Sequence, residues 1–182
     1  MSSGFSRVIQ GCMNWGKWGN SLSTSEMEKL IHFNLESGIS SFDHADIYGD
    51  YTTESDFGKA LKNSTVRRED IQLISKCGIQ YVGKSRPNNT VKHYQYDSSY
   101  IIYSAEKSIK DLNAEYLDLF LLHRPSPLMH PDEIREGIEK LLNHGKIKSF
   151  GVSNFSNGQT DLISTSSKVS ANQIQFSLSH NT

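Results

Sequence analysis

The chain has 182 residues, 36% hydrophobic and 21% charged, the proportions of one ordinary globular domain with enough apolar material for a sizeable core. Nineteen basic residues against 20 acidic ones give a formal net charge of -1, which leaves no electrostatic case for binding nucleic acid or an anionic membrane. The apolar run LFLL at 119–122 falls far short of a membrane span, MSSGFSRVIQGCM lacks a secretory core, and Cys12 and Cys77 form no CxxC pair; a reducing, cytoplasmic setting is expected.

In chain order, two periods alternate. Apolar and β-branched runs at 6–13 (SRVIQGCM), 38–44 (GISSFDH), 71–77 (IQLISKC), 116–123 (YLDLFLLH), 147–153 (IKSFGVS) and 172–177 (NQIQFS) read as strands. Between the first two lies STSEMEKLIHFNLES, which puts Met27, Leu30, Ile31 and Leu35 on one helical face and sets Ser23 at capping-box spacing before Glu26. Helical periods follow in TESDFGKALK, SSYIIYSAEKSIKDL and PDEIREGIEKLLNHG, with a shorter one around GQTDLISTS. Pro131 suits a helix start and Gly145 a helix stop. The irregular stretch 78–97 (GIQYVGKSRPNNTVKHYQYD) is longer than an ordinary βα connector, and such loops are usually functional or mobile.

Alternating strand and helix imply a parallel sheet with helical crossovers, either a doubly wound open sheet or a (β/α)8 barrel. No GxGxxG follows the first strand and no Walker loop occurs, which weighs against the dinucleotide-binding open sheet. Asp43, Lys76 and His123 each end a different expected strand, and Ser153 with Asn154 ends a fourth. In a barrel those ends meet at one mouth, where active sites lie. Tyr48, within SFDHADIYGD, would stand on the loop that crosses it. A phenol is a poor acid near neutrality unless a cation stabilises its anion. Lys76 can supply that cation, Asp43 can keep Lys76 charged, and His123 can hydrogen-bond to the same oxygen that the phenol protonates. Such a set suits protonation of a carbonyl oxygen while a hydride arrives at carbon.

Blander readings stand beside each of these. The acids of HAD can cap a helix opening near Thr52 or Thr53; His123 can be a structural histidine; Ser153 and Asn154 can cap the next helix. Lys76 is harder to dismiss, since lysine rarely ends a buried strand without a partner. Trp15 and Trp18 can wall a pocket or cover a loop. His44, His93, His130 and His180 read as surface or loop residues, and Gly38, Gly49 and Gly58 as turn or close-packing positions.

Jointly, FDHADIYG, SKCGI, LLHRPSPLM, FGVSNF and NQIQFS resemble, in order and spacing, the aldo/keto reductase superfamily, most closely its bacterial predicted-oxidoreductase branch. The resemblance runs over almost the whole chain. It implies a (β/α)8 barrel that reduces a small-molecule aldehyde or ketone to an alcohol with a nicotinamide cofactor, usually NADPH, with NADH as the alternative. The family's catalytic tetrad lands on Asp43, Tyr48, Lys76 and His123. Tyr48 is then the general acid, Lys76 the charge that lowers its pKa, Asp43 the anchor of Lys76, and neutral His123 the residue that orients the carbonyl. Carboxamide contacts fall on Ser153, Asn154 and Gln173, and Met13 and Asn14 lie at the cofactor-facing end of the first strand.

An eight-unit barrel typically takes about 250 residues, whereas this sequence stops just after its sixth expected strand. The expectation is therefore an incomplete barrel, a fragment or a chain with altered assembly, with open edges on RVIQG and NQIQF and with the contacts to the adenosine phosphate beyond residue 182. Two rival functions remain in view: a non-catalytic cofactor-binding chain, and a metal-dependent hydrolase drawing ligands from His44, Asp46, His123 and His130. No tight HxH pair supports the latter, and Lys76 already has a role as the phenol's partner, so the site is read as metal-free.

Overall fold

The computed structural model describes residues 4–177. In chain order its elements are β1 (Ile9–Gly11), α1 (Thr24–Glu36), β2 (Ser41–Asp43), α2 (Tyr48–Tyr51), α3 (Thr53–Asn63), β3 (Gln72–Cys77), β4 (Ile79–Gln80), β5 (His93–Tyr94), α4 (Ser98–Asp111), β6 (Leu119–Leu122), α5 (Pro131–Asn143), β7 (Phe150–Ser153), α6 (Asn157–Ser164) and β8 (Asn172–Gln173). Their ends follow local chemistry. Ser23 and Glu26 close a reciprocal capping box on α1, Ser156 and Gln159 do the same on α6, and the Asp97 carboxylate accepts the Tyr100 N–H at the start of α4. Pro131 opens α5, and Gly145 follows its end at positive φ.

Six strands form one sheet in the order β1-β2-β3-β6-β7-β8, and every pairing is parallel. The sheet curls into an incomplete (β/α)8-type barrel with its helices outside. β1 and β8 are its two ends, as the open-edge expectation required. Both terminal strands are shorter than their sequence runs: β1 covers Ile9–Gly11 and β8 Asn172–Gln173, and a short 3-10 turn occupies Met13–Trp15. The stretch 78–97, expected to be irregular, contains an antiparallel hairpin of β4 and β5. Among the described residues no helix is long and apolar enough to cross a membrane.

The period of two along each strand sorts side chains into two compartments. Phe42, Leu73, Phe120, Leu122, Phe150 and Val152 pack outward into one cluster with Met27, Ile31, Phe57, Ile101, Ile138 and Leu141 of the helices. Full burial of each such side chain is worth about 1.5–3 kcal/mol. Ile74, Leu119 and Leu121 form a separate inner cluster with Phe5 and Ala171. Asp43, Lys76 and Ser153 share the phase of that inner set. Trp15 belongs to the outer core, with its ring 6.3 Å from Phe42 and 5.9 Å from Phe57, so it walls no pocket.

His44, expected at the surface, is fully buried and meets the Phe57 ring edge-on at 4.4 Å. Alternation is the reason: Asp43 faces inward, so its neighbour must face the helices. Asp46 is buried on the helix side as well, where its Oδ2 accepts the hydroxyls of Tyr100 and Ser104, both at 3.1 Å. It caps no helix. Nearby Glu54 accepts the Ser75 hydroxyl at 2.5 Å and the Ser108 hydroxyl at 2.8 Å. Burial pushes the Asp46 carboxyl from 3.8 up to about 7, against the lowering effect of its two hydroxyl donors. Burial likewise pushes Glu54 from 4.5 to about 7.

Two expected outcomes follow from this packing. Gly58 on α3 faces α4 so closely that a Cβ there would lie 2.0 Å from the Asp111 carbonyl oxygen. Alanine would gain about 1 kcal/mol of helix propensity, yet a backbone clash costs about 1–3 kcal/mol or more; Gly58→Ala should therefore lower the urea midpoint, and a raised midpoint would contradict the close approach. For the buried acids, the folded pKa lies above the unfolded one, so the folded state keeps protons that the unfolded chain has released. Their contribution to stability is fully present below the unfolded pKa and is lost as pH rises to about 7. Asp46→Asn and Glu54→Gln should each raise the urea midpoint at about pH 8 and leave it nearly unchanged at about pH 4.

Candidate active site

The C-terminal ends of β2, β3, β6 and β7 deliver Asp43, Lys76, His123 and Ser153 to one cleft of about 680 Å³. Parallel pairing does this by register: Gly11 stands beside Asp43, Lys76 beside Leu121, and Ser153 beside Gln173. Lys76 is 2% exposed, and its ammonium donates to both Asp43 carboxylate oxygens, at 2.8 and 2.9 Å, and to the His44 carbonyl at 2.7 Å. It also donates to the Tyr48 hydroxyl oxygen at 3.1 Å. Because that phenol oxygen accepts from Lys76, its own proton is free for an acceptor in the cleft. The His123 ring meets the Tyr48 ring edge-on at 5.9 Å.

Tyr48 is carried by a turn built for the purpose. Gly49 and Asp50 within α2 sit at φ 62° and 58°, and Tyr51 follows at 64°. For Asp50 and Tyr51 this conformation costs about 1–2 kcal/mol each, offset by anchors. The Asp50 carboxylate accepts the Ser85 N–H and hydroxyl, and the Tyr51 hydroxyl donates to the Ile79 carbonyl while accepting the Tyr81 N–H. The same bonds fasten the β4–β5 hairpin over the mouth.

Electrostatics separates the two candidate proton carriers. Burial, helped by Lys76, Arg124 and Lys92, pushes the His123 imidazole down to about 3, so it is neutral near pH 7. Burial raises the Tyr48 phenol above its ordinary value; Lys76 pulls it down and Asp43 pushes it up, with burial the larger effect. Lys76 does lower the phenol's pKa, as expected, but burial outweighs it, so Tyr48 lies above its reference value and not below it. Lys76 reduces the penalty for losing the proton in a desolvated place, and Tyr48 remains a protonated donor at neutral pH.

Of the residues assigned to a cofactor, Met13, Asp43, Ser153, Asn154 and Gln173 line the cleft. Asn14 does not; its carbonyl accepts the Asn20 N–H at 2.7 Å and shapes the preceding loop. Asn154 sits at φ 57°, with its N–H donated to the Gln173 carbonyl and its side-chain amide to the Ser153 hydroxyl at 3.0 Å. The Gln173 carboxamide has no hydrogen-bond partner among the described residues. A hydroxyl and two amides offer both donors and acceptors, which fits a carboxamide ligand. Residues that the sequence did not single out also line the cleft: Ile47, Ile79, Lys92, Tyr94 and Arg124. Arg124 was adjacent to His123 in LLHRPSPLM and so was within reach of the motif; Lys92 and Tyr94 are brought in by a hairpin that has no clear sequence signal. Trp18 lines the cleft and meets Tyr48 edge-on at 6.4 Å.

The proposed metal ligands are not assembled. His44 is sealed against Phe57, His130 is exposed, and among the described residues no group of three or more His, Cys, Asp or Glu is placed to hold a metal ion. His93 is exposed, and His180 lies outside the described residues.

Comparison with known proteins identifies the family and the fold. The Aldo/keto reductase family model matches residues 7–182. The chain is 42% identical over 175 residues to the Bacillus subtilis protein named "Uncharacterized oxidoreductase YcsN", covering 95% of this chain and 58% of that protein. It is 39% identical to the Escherichia coli "Oxidoreductase YdhF", over 97% of this chain and 58% of that protein. The holo form of aldo-keto reductase AKR11C1 from Bacillus halodurans superposes with a TM-score of 0.79 at 27% identity, over 94% of this chain and 54% of that one. The chain thus spans a little over half the length of these relatives. A family match of that extent, on a fold that follows a solved aldo-keto reductase over nearly the whole chain, means that this chain belongs to the aldo/keto reductase family.

Proposed function

We propose that this chain carries the catalytic floor of an NAD(P)H-dependent reductase that converts a small-molecule aldehyde or ketone to its alcohol. The observation that carries the reading is the Lys76 ammonium, clasped by Asp43 and donating to the Tyr48 hydroxyl at 3.1 Å in the cleft shared with His123. A carbonyl oxygen seated between Tyr48 and neutral His123 receives a hydrogen bond from each. As negative charge grows on that oxygen, the Tyr48 proton moves to it, and the tyrosinate left behind faces Lys76. Water then reprotonates Tyr48.

The nicotinamide cofactor, NADPH or NADH, supplies the hydride when bound. Ser153, Asn154 and Gln173 would hold its carboxamide, and Met13 stands beside the same cleft. The apolar sides of Ile47, Ile79 and Trp18 limit water around the reacting oxygen. Family membership and the oxidoreductase names of the relatives support this assignment.

In the complete protein, Tyr48→Phe should lower turnover of an aldehyde by about 10²–10⁴-fold, the scale of a lost general acid, while fluorescence titration shows little change in cofactor affinity. Unchanged turnover would remove Tyr48 from the mechanism. The double variant Lys76→Met with Asp43→Asn, which leaves no buried charge unpaired, should lower turnover and move the alkaline limb of the pH–rate profile to higher pH. That limb marks loss of the Tyr48 proton, and the lysine's downward effect on the phenol, by charge and by hydrogen bond, exceeds the upward effect of Asp43; an unshifted limb would count against the pairing.

A further inference from the structure

The charged side chains lining the cleft are Asp43, Lys76, Lys92 and Arg124. Asp43 and Lys76 neutralise each other at 2.8 Å. Lys92 and Arg124 are exposed and form no ion pair among the described residues. Both are close enough to His123 to disfavour its protonation. The cleft therefore keeps two unpaired cations beside the carbonyl-orienting histidine.

They come from separate segments, Lys92 from the residue before β5 and Arg124 from the residues after β6. One side chain ties these segments together. The Tyr96 hydroxyl donates to the Arg124 carbonyl at 2.5 Å and accepts the Arg124 N–H at 3.2 Å. Its ring lies so close to Gly78, at φ 111°, that a Cβ there would be 1.9 Å from Tyr96 Cε1. The Gln95 N–H completes the tie to the Gly78 carbonyl at 2.8 Å. Lys92 and Arg124 thus share a rim over β3 and β6, while the carboxamide contacts proposed above lie on β7 and β8.

We propose that Lys92 and Arg124 form an anion-binding end of the cleft, so that the carbonyl compound reduced here carries a carboxylate. This rests on the reductase reading and narrows it to oxo acids. A planar guanidinium and a mobile ammonium beside one histidine match a carboxylate placed a few bonds from the carbonyl. Ile47, Ile79, Trp18 and Tyr94 would pack on the carbons between.

The test uses the complete protein with 4-oxobutanoate and its methyl ester, which share the aldehyde and differ in one charge. The acid should show the higher kcat/KM by about tenfold or more, the scale of one charge-assisted hydrogen bond. Lys92→Met with Arg124→Gln should erase that preference, mainly through KM of the acid. Both residues are exposed, so the variant keeps its fold. Equal rates for acid and ester, preference for the ester, or a preference that survives the double substitution would overturn the anion site; ester turnover in that case leaves the reductase reading standing. If neither aldehyde is reduced, the reductase reading fails, and calorimetry with glutarate decides the rest. Glutarate binding lost in the double variant sustains the anion site, and absence of binding to the parent protein removes it.

Discussion

A lysine ammonium with 2% exposure at the end of a sheet strand is the constraint on which this structure depends. A charge so placed is tolerable only if every proton has an acceptor and an opposite charge stands beside it. Asp43 supplies the charge, and the His44 carbonyl and the Tyr48 oxygen supply the remaining acceptors. Those partners lie on one strand and the turn following it, adjacent to the lysine's own strand. Pairing of β2 with β3 brings Asp43 and His44 to that ammonium, and Tyr48, the fourth of its contacts, opens the turn whose next three residues have positive φ.

That ammonium also organises charge beyond its immediate partners. Burial is the larger cause that holds the imidazoles of His123, inside the sheet, and His44, outside it, at about 3, and the ammonium adds to it by disfavouring a second positive charge. One positive charge is kept at the floor of the cleft and others are confined to its rim. Behind the sheet, the opposite choice is made. Asp46 and Glu54 face hydroxyls rather than cations, and desolvation keeps them protonated over much of the pH range. Two buried polar systems of unlike character are separated by the thickness of one strand layer, because successive side chains point to opposite faces.

The strand-end residues were legible because their chemistry is anomalous for where they stand. An apolar run that ends in Lys76 or in His123 violates the usual exposure of those side chains, and their recurrence in order carried the family resemblance. His44 and Asp46 carried the same letters and were misread, one as a surface residue and the other as a helix cap or metal ligand. Nothing local distinguishes Asp43, which binds a lysine, from Asp46, which binds two hydroxyls; the difference is which face of β2 and its continuation each side chain leaves. Trp15 and Trp18, equivalent in the sequence, divided between core and cleft. The hairpin that brings Lys92 and Tyr94 to the mouth has two-residue strands, too short for any alternation to show.

The sequence by itself determined the alternation of strands and helices, the parallel sheet, the caps of α1 and α5, and the identity of the four residues of the floor, because hydrophobic period and strand-end chemistry are written in neighbouring letters. Tertiary structure alone decided which acids are ionised, how far burial outweighs Lys76 in setting the Tyr48 phenol, and which cations reach the cleft. Those properties depend on desolvation and on distances between segments up to tens of residues apart, and such distances exist only once β2, β3, β6 and the hairpin are packed together.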